Sequence, residues 1–151
     1  MERTILAAAL AMIASTGMAA EADAKKAMLM QTHWQCATWA SMHGDTAASE
    51  RHFLAGLEAG NIFMDAAIAG TITAEEARAN VSVMVGLTMQ GPNKDFVLGR
   101  LFESIQGDAH GRITTRGVDG LPLAPQNYIT EPDLVDTLAR SQYGRANCGL
   151  L

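Results

Sequence analysis

The chain has 151 residues, 48% of them hydrophobic and 18% charged, and it carries a net charge of −5 at pH 7. That length and apolar content fit one domain with a core of its own. The 11 lysines and arginines are scattered, without a basic face or run, which argues against nucleic acid and against an anionic membrane surface as partners.

Residues 1–20 read as an export signal. Glu2, Arg3 and the free amino group lead into an apolar stretch from Ile5 to Ile13. Small residues follow at Ala14, Ser15, Gly17, Ala19 and Ala20, so cleavage after Ala19 or Ala20 is expected. The stretch is too short for a bilayer core of about 30 Å, so no permanent membrane anchor is expected. The alternative is a buried N-terminal helix. On the export reading, residues 21–151 form a single α-helical domain in the periplasm or outside the cell.

The rest of the chain predicts an all-α fold, a compact bundle of about five helices with its ends tied by one disulfide. Helix formers are common, and no segment alternates with period two. The first helix spans about Glu21–Met42 and stops at His43-Gly44; Cys36 and Trp39 lie on one apolar stripe, and Met30 and Trp34 on another. Apolar on more than one side, it reads as the central helix. The second begins at Asp45 or Thr46 and ends before Gly70, with a stripe of Phe53, Leu57, Met64, Ala67 and Ile68. Gly56 and Gly60 inside it predict the close approach of another helix backbone, because an interior glycine costs about 1 kcal/mol against alanine.

The third helix opens with a capping box, Thr73 to Glu76, and is expected to continue through Val81, Met84, Val85 and Leu87 to Gln90-Gly91-Pro92. Asn93 caps the fourth, which buries Phe96, Val97, Leu101 and Ile105 and frays at Gly107 and Gly111. Residues 114–129 form a loop punctuated by glycine and proline, read either as a surface strap or as a recognition loop. The last helix begins at Thr130, carries Pro132 in its first turn and ends at Gly144. Cys36 and Cys148 are the only cysteines. In an exported domain they are expected to pair, closing a loop of about a hundred residues.

No nucleophile elbow, phosphate loop or dinucleotide fingerprint is present, and no cofactor or bound metal is expected. Asn80-Val81-Ser82 fits a glycosylation sequon, but its place inside an expected helix makes it an accidental match. Arg100 and Glu103, three apart, suggest a salt-bridged face; a buried Arg100 would instead anchor a partner or an anion. The candidate interaction residues are His43 and Asp45 at the first helix junction, Arg100, and Arg116, Asp119, Leu121 and Tyr128 in the loop.

The absence of catalytic motifs favours a non-enzymatic module that binds an envelope or secreted protein. In architecture it is similar to small exported helical immunity proteins and inhibitors of the bacterial envelope, with no motif shared. Two alternatives stand beside it. One is a metal or small-ligand carrier using Met28, Met30, His33 and His43, whose thioether and imidazole groups suit copper. The other is a small hydrolase around His43, Asp45 and His52, in which a carboxylate orients an imidazole as general base.

Overall fold

A computed structural model describes residues 3–151, with side-chain surroundings from Ala19 onward. The expected export segment, residues 1–20, therefore lies largely outside the described side chains. Six α-helices follow in order: α1 (Arg3–Met42), α2 (Thr46–Ile68), α3 (Ala74–Asn80), α4 (Val83–Thr88), α5 (Lys94–Thr114) and α6 (Pro132–Arg145). The fold is all-α, and among the described residues an isolated bridge between Arg116 and Pro122 replaces any regular strand. No described helix is long and apolar enough to cross a membrane.

The α1–α2 hairpin is built by local chemistry. Gly44 takes a left-handed conformation, φ 81°, that turns the chain at little steric cost. The Asp45 carboxylate then accepts from the Ala48 amide at 2.9 Å and caps α2. Helix α1 packs against α2, α3, α5 and α6, so it is central, as its two apolar stripes suggest.

The buried face of α2 differs from the hydrophobic stripe. It runs through Ala48, His52, Gly56, Ala59, Gly60 and Phe63 to Met64 and Ala66, so of the expected stripe Met64 is inside. Phe53 and Leu57 are only half-buried at its edge, and Ile68 is 67% exposed. Small residues win the inner face because α1 brings large ones. A Cβ at Gly56 would sit 2.5 Å from Cδ1 of Trp34, and one at Gly60 would sit 2.9 Å from the Met30 sulfur. The glycines thus receive side chains of α1, and at Gly60 also Leu98 from the later helix α5, where the spacing had suggested a second backbone. The Trp34 ring is locked in place, its Nε1 donating to the Phe53 carbonyl at 3.2 Å. Overpacking of this kind costs about 1–3 kcal/mol, and the better helix propensity of alanine returns up to about 1 kcal/mol. Gly56→Ala should therefore destabilise the protein by about 1–2 kcal/mol in urea unfolding. A midpoint that holds or rises would show that the indole can step aside.

The expected third helix is two. Thr73 and Glu76 form the capping box of α3, but Val81 is extended at φ −109° and ψ 120°. Ser82 starts again as the cap of α4, its hydroxyl accepting from the Val85 amide. Asn80 and Ser82 bond to nearby backbone in competition with a continuous ladder. The break buries Val85 fully and leaves Val83 and Leu87 exposed, so Leu87 is not a core residue.

Asn93 caps α5 as expected, accepting from the Phe96 amide at 2.9 Å. Phe96 itself is exposed, and Leu98 takes its place inside with Val97, Leu101 and Ile105. Gly107 and Gly111 do not fray the helix, which continues to Thr114. Its last turns are held from outside: Ala109 and Ile113 are buried, and the Ala109 carbonyl accepts from Trp39 Nε1 at 3.1 Å. The chain between α5 and α6 is pinned at its base, with the amides of Leu123 and Ile129 donating to the carbonyls of Thr115 and Thr114 at 2.8 Å each. Pro132 opens α6, two residues later than expected, and the helix passes Gly144 to end at Arg145. Cys36 and Cys148 form the disulfide, at the centre of a second small core with Trp39, Ala109 and Ile113.

Candidate functional site

Two arrangements of polar side chains stand out, one inside the bundle and one on its surface. The inner one starts from His33 on α1 and His52 on α2, 8% and 0% exposed. Their Nδ1 atoms are 3.0 Å apart. A neutral imidazole has one N–H, so one ring donates across this contact and the other accepts. The second nitrogen of His52, Nε2, is 3.0 Å from the Tyr143 hydroxyl on α6. If His52 donates to His33, the hydroxyl donates to His52; if His52 accepts from His33, its Nε2–H donates to the hydroxyl. Both tautomeric arrangements satisfy the pair. Burial holds both histidines below the ordinary imidazole pKa, and for His52 the neighbouring His33 and Arg51 push in the same direction. The Cys148 backbone and the Asp45 carboxylate oppose this only in part.

His43 completes the group from the end of α1. Its ring stands edge-on to Tyr143 with centroids 5.3 Å apart, and both of its nitrogens are buried without a partner among the described residues. Its backbone carbonyl is 3.5 Å from an Arg140 guanidinium nitrogen. His43 thus packs inward and offers little to a partner.

Of the residues of the hydrolase reading, His43 and His52 both stand edge-on to Tyr143, and each of the other groups has a structural task. The Asp45 carboxylate caps α2, and both nitrogens of His52 are engaged by His33 and Tyr143. The four residues of the carrier reading are placed apart. Met28 is exposed, Met30 is in the core against Gly60, His33 faces His52, and His43 faces Tyr143. Among the described residues no three histidines, cysteines or carboxylates converge in a metal-holding group.

The outer arrangement is a cleft of about 510 Å³ between the end of α5, the 116–120 turn and the second half of α6. Arg112, Arg116 and Arg145, one from each wall, lie along it, while Ile113, Ile129 and Leu138 supply apolar lining. Arg112 is paired with Asp108 at 2.8 Å. Arg116 donates to the Gly120 carbonyl at 3.2 Å, and Asp119 accepts from the Leu121 amide at 3.0 Å, so the turn is shaped by its own side chains. Val118 at the tip is fully exposed, and Leu121 is 64% exposed.

Of the candidate interaction residues, the fold gathers Arg116, Asp119 and Leu121 at this turn, with Tyr128 exposed farther along the same connection. Arg100 lies elsewhere, on the first half of α5. It donates to the Gln90 carbonyl at 2.6 Å and lies over the Phe96 ring, fastening the start of the helix. Sequence reasoning missed Arg112 and Arg145, which meet Arg116 only in three dimensions, and it missed the pairing of His33, His52 and Tyr143. For His52 a signal existed: it sits in line with Ala48, Gly56 and Ala59 on the small-residue face of α2. No family model matches the chain, and no curated protein or solved structure is detectably similar to it.

Proposed function

We propose that this protein is an exported, non-enzymatic binding module, of the inhibitor or immunity type in a bacterial envelope, that holds another protein through the face around the 116–120 turn. One observation carries the reading: two apolar side chains, Val118 and Leu121, are held in solvent on a turn fixed by its own hydrogen bonds, beside a cleft. Exposed apolar groups gathered in one place mark interaction surfaces. A pre-shaped turn loses little conformational freedom on binding, so more of the contact energy appears as affinity. The disulfide fits an oxidising compartment, and the export signal at residues 1–20 directs the chain to one.

The test is affinity capture from envelope and secreted extracts, comparing the oxidised protein with a V118D/L121D variant. A stoichiometric partner retained by the first and lost from the second is expected, with unchanged helicity, since both positions are exposed. Equal recovery by both would place the interface elsewhere and end this reading.

A further inference from the structure

The cleft differs in charge from the rest of the molecule. The chain carries −5, yet the cleft is lined by three arginines against one acid, Asp108. Asp108 is already engaged by Arg112, and Arg145 has no ion pair among the described residues. A guanidinium has five donors in a planar fork that matches a carboxylate two bonds at a time. Among the described residues the Arg116 side chain has a single hydrogen bond, to the Gly120 carbonyl. The lining beneath is apolar, with Ile113 buried and Ile129 and Leu138 half-buried.

We infer that the cleft receives an acidic segment of the partner protein, one in which carboxylates flank an apolar side chain. This rests on the binding-module reading above and adds the chemistry of the partner. Three features select a protein segment over a free organic acid. The arginines belong to three separate elements, so an extended occupant can meet more than one of them. The cleft is open to solvent and its lining reaches the exposed Val118, which leaves room for an occupant that extends beyond it. Ser141 and Gln142 on the α6 wall can hydrogen-bond a peptide backbone. The volume lies within the roughly 300–1,000 Å³ of ordinary ligand sites, enough for an apolar side chain and its flanks. Arginine is the cation suited to such contacts, because its fork is pre-organised and weakly hydrated.

The test is selection from a random peptide library on the oxidised protein, followed by affinity measurement on R116E/R145E. R116Q/R145Q serves as the milder pair should charge reversal disturb the turn, and circular dichroism checks the fold of each. Selected peptides should be enriched in aspartate and glutamate next to leucine or phenylalanine. Their affinity should fall at least tenfold in either arginine variant, and it should weaken as salt is raised. A selection without acidic enrichment, or peptides indifferent to the arginines, overturns the proposal. So does laurate, as a free amphipathic acid, if it displaces the peptides at equal concentration. The two readings fail separately. A partner lost from V118D/L121D without any acidic peptide leaves the binding module standing and removes the acidic segment. Acidic peptides held by the arginines without such a partner do the reverse.

Discussion

C36A/C148A will unfold about 4 kcal/mol more readily than the parent, and roughly 15 °C lower in a thermal scan. The bridge spans 112 residues. Closing a loop of that length removes much of the freedom of the unfolded chain, which in the chain-entropy model stabilises the fold by about 4–5 kcal/mol. Both cysteines are completely buried, so the substitution also loses packing against Trp39 and Ile113. Treating the parent with a reductant should reproduce the loss. The damage should begin at the C-terminal end, because Cys148 lies in a short turn after α6 and is the covalent tie from that end to α1. Equal stability in the oxidised parent and the variant would mean that the packing of Val135, Leu138 and Tyr143 suffices without the bridge. A large loss, by contrast, makes stability depend on the bridge staying oxidised.

Signals confined to a few neighbouring residues were legible in the sequence. The turn at Gly44, the caps at Asp45, Thr73 and Asn93, and proline at the start of α6 all act within one helical turn, and all are present. The cysteine pairing was legible for another reason, since two cysteines allow only one intramolecular bridge. Choices made by distant partners were not legible. Hydrophobicity pointed α2 inward through Phe53 and Leu57, but the indole of Trp34 needs the space over Gly56 and so selects the small-residue face. Gly107 and Gly111 weaken α5 locally, yet Trp39 from α1 and the buried Ile113 hold it together. The break at Val81 was legible in principle, because Asn80 and Ser82 both favour local backbone bonds, but the apolar spacing across it masked them. The candidate site divides the same way. Arg116, Asp119 and Leu121 belong to one turn and were found together, whereas Arg112 and Arg145 join them only through the packing of α5 and α6.

Acidification will destabilise the protein, starting near pH 6.5 and steepening below it, and the histidine pair between α1 and α2 will account for much of the loss. Both His33 and His52 have their pKa lowered from 6.5 in the folded state, first by burial. The unfolded chain therefore binds protons in a range where the folded chain does not. Linkage then requires stability to rise with pH through that range. The stabilising contribution is complete above the unfolded value of about 6.5 and is lost as pH falls through the folded values. The geometry gives the same sign. Across 3.0 Å only one of the two Nδ1 atoms can carry a proton without facing another N–H, so the doubly charged pair is opposed by both desolvation and repulsion. Arg51 adds to the repulsion at His52, and Asp45 and the Cys148 backbone offset it only in part. His52→Leu separates this effect from the general titration of surface carboxylates. It should flatten the stability profile between about pH 5 and 7. At neutral pH it should cost about 1–3 kcal/mol, because His33 Nδ1 loses its partner in a buried site, while the half-buried Tyr143 hydroxyl keeps its contact with Arg51. Urea midpoints of the parent and variant across that range decide the matter. Parallel profiles would show that the pair stays neutral at every pH tested, or separates from its burial before it is protonated, and either outcome removes it as the source of the acid sensitivity.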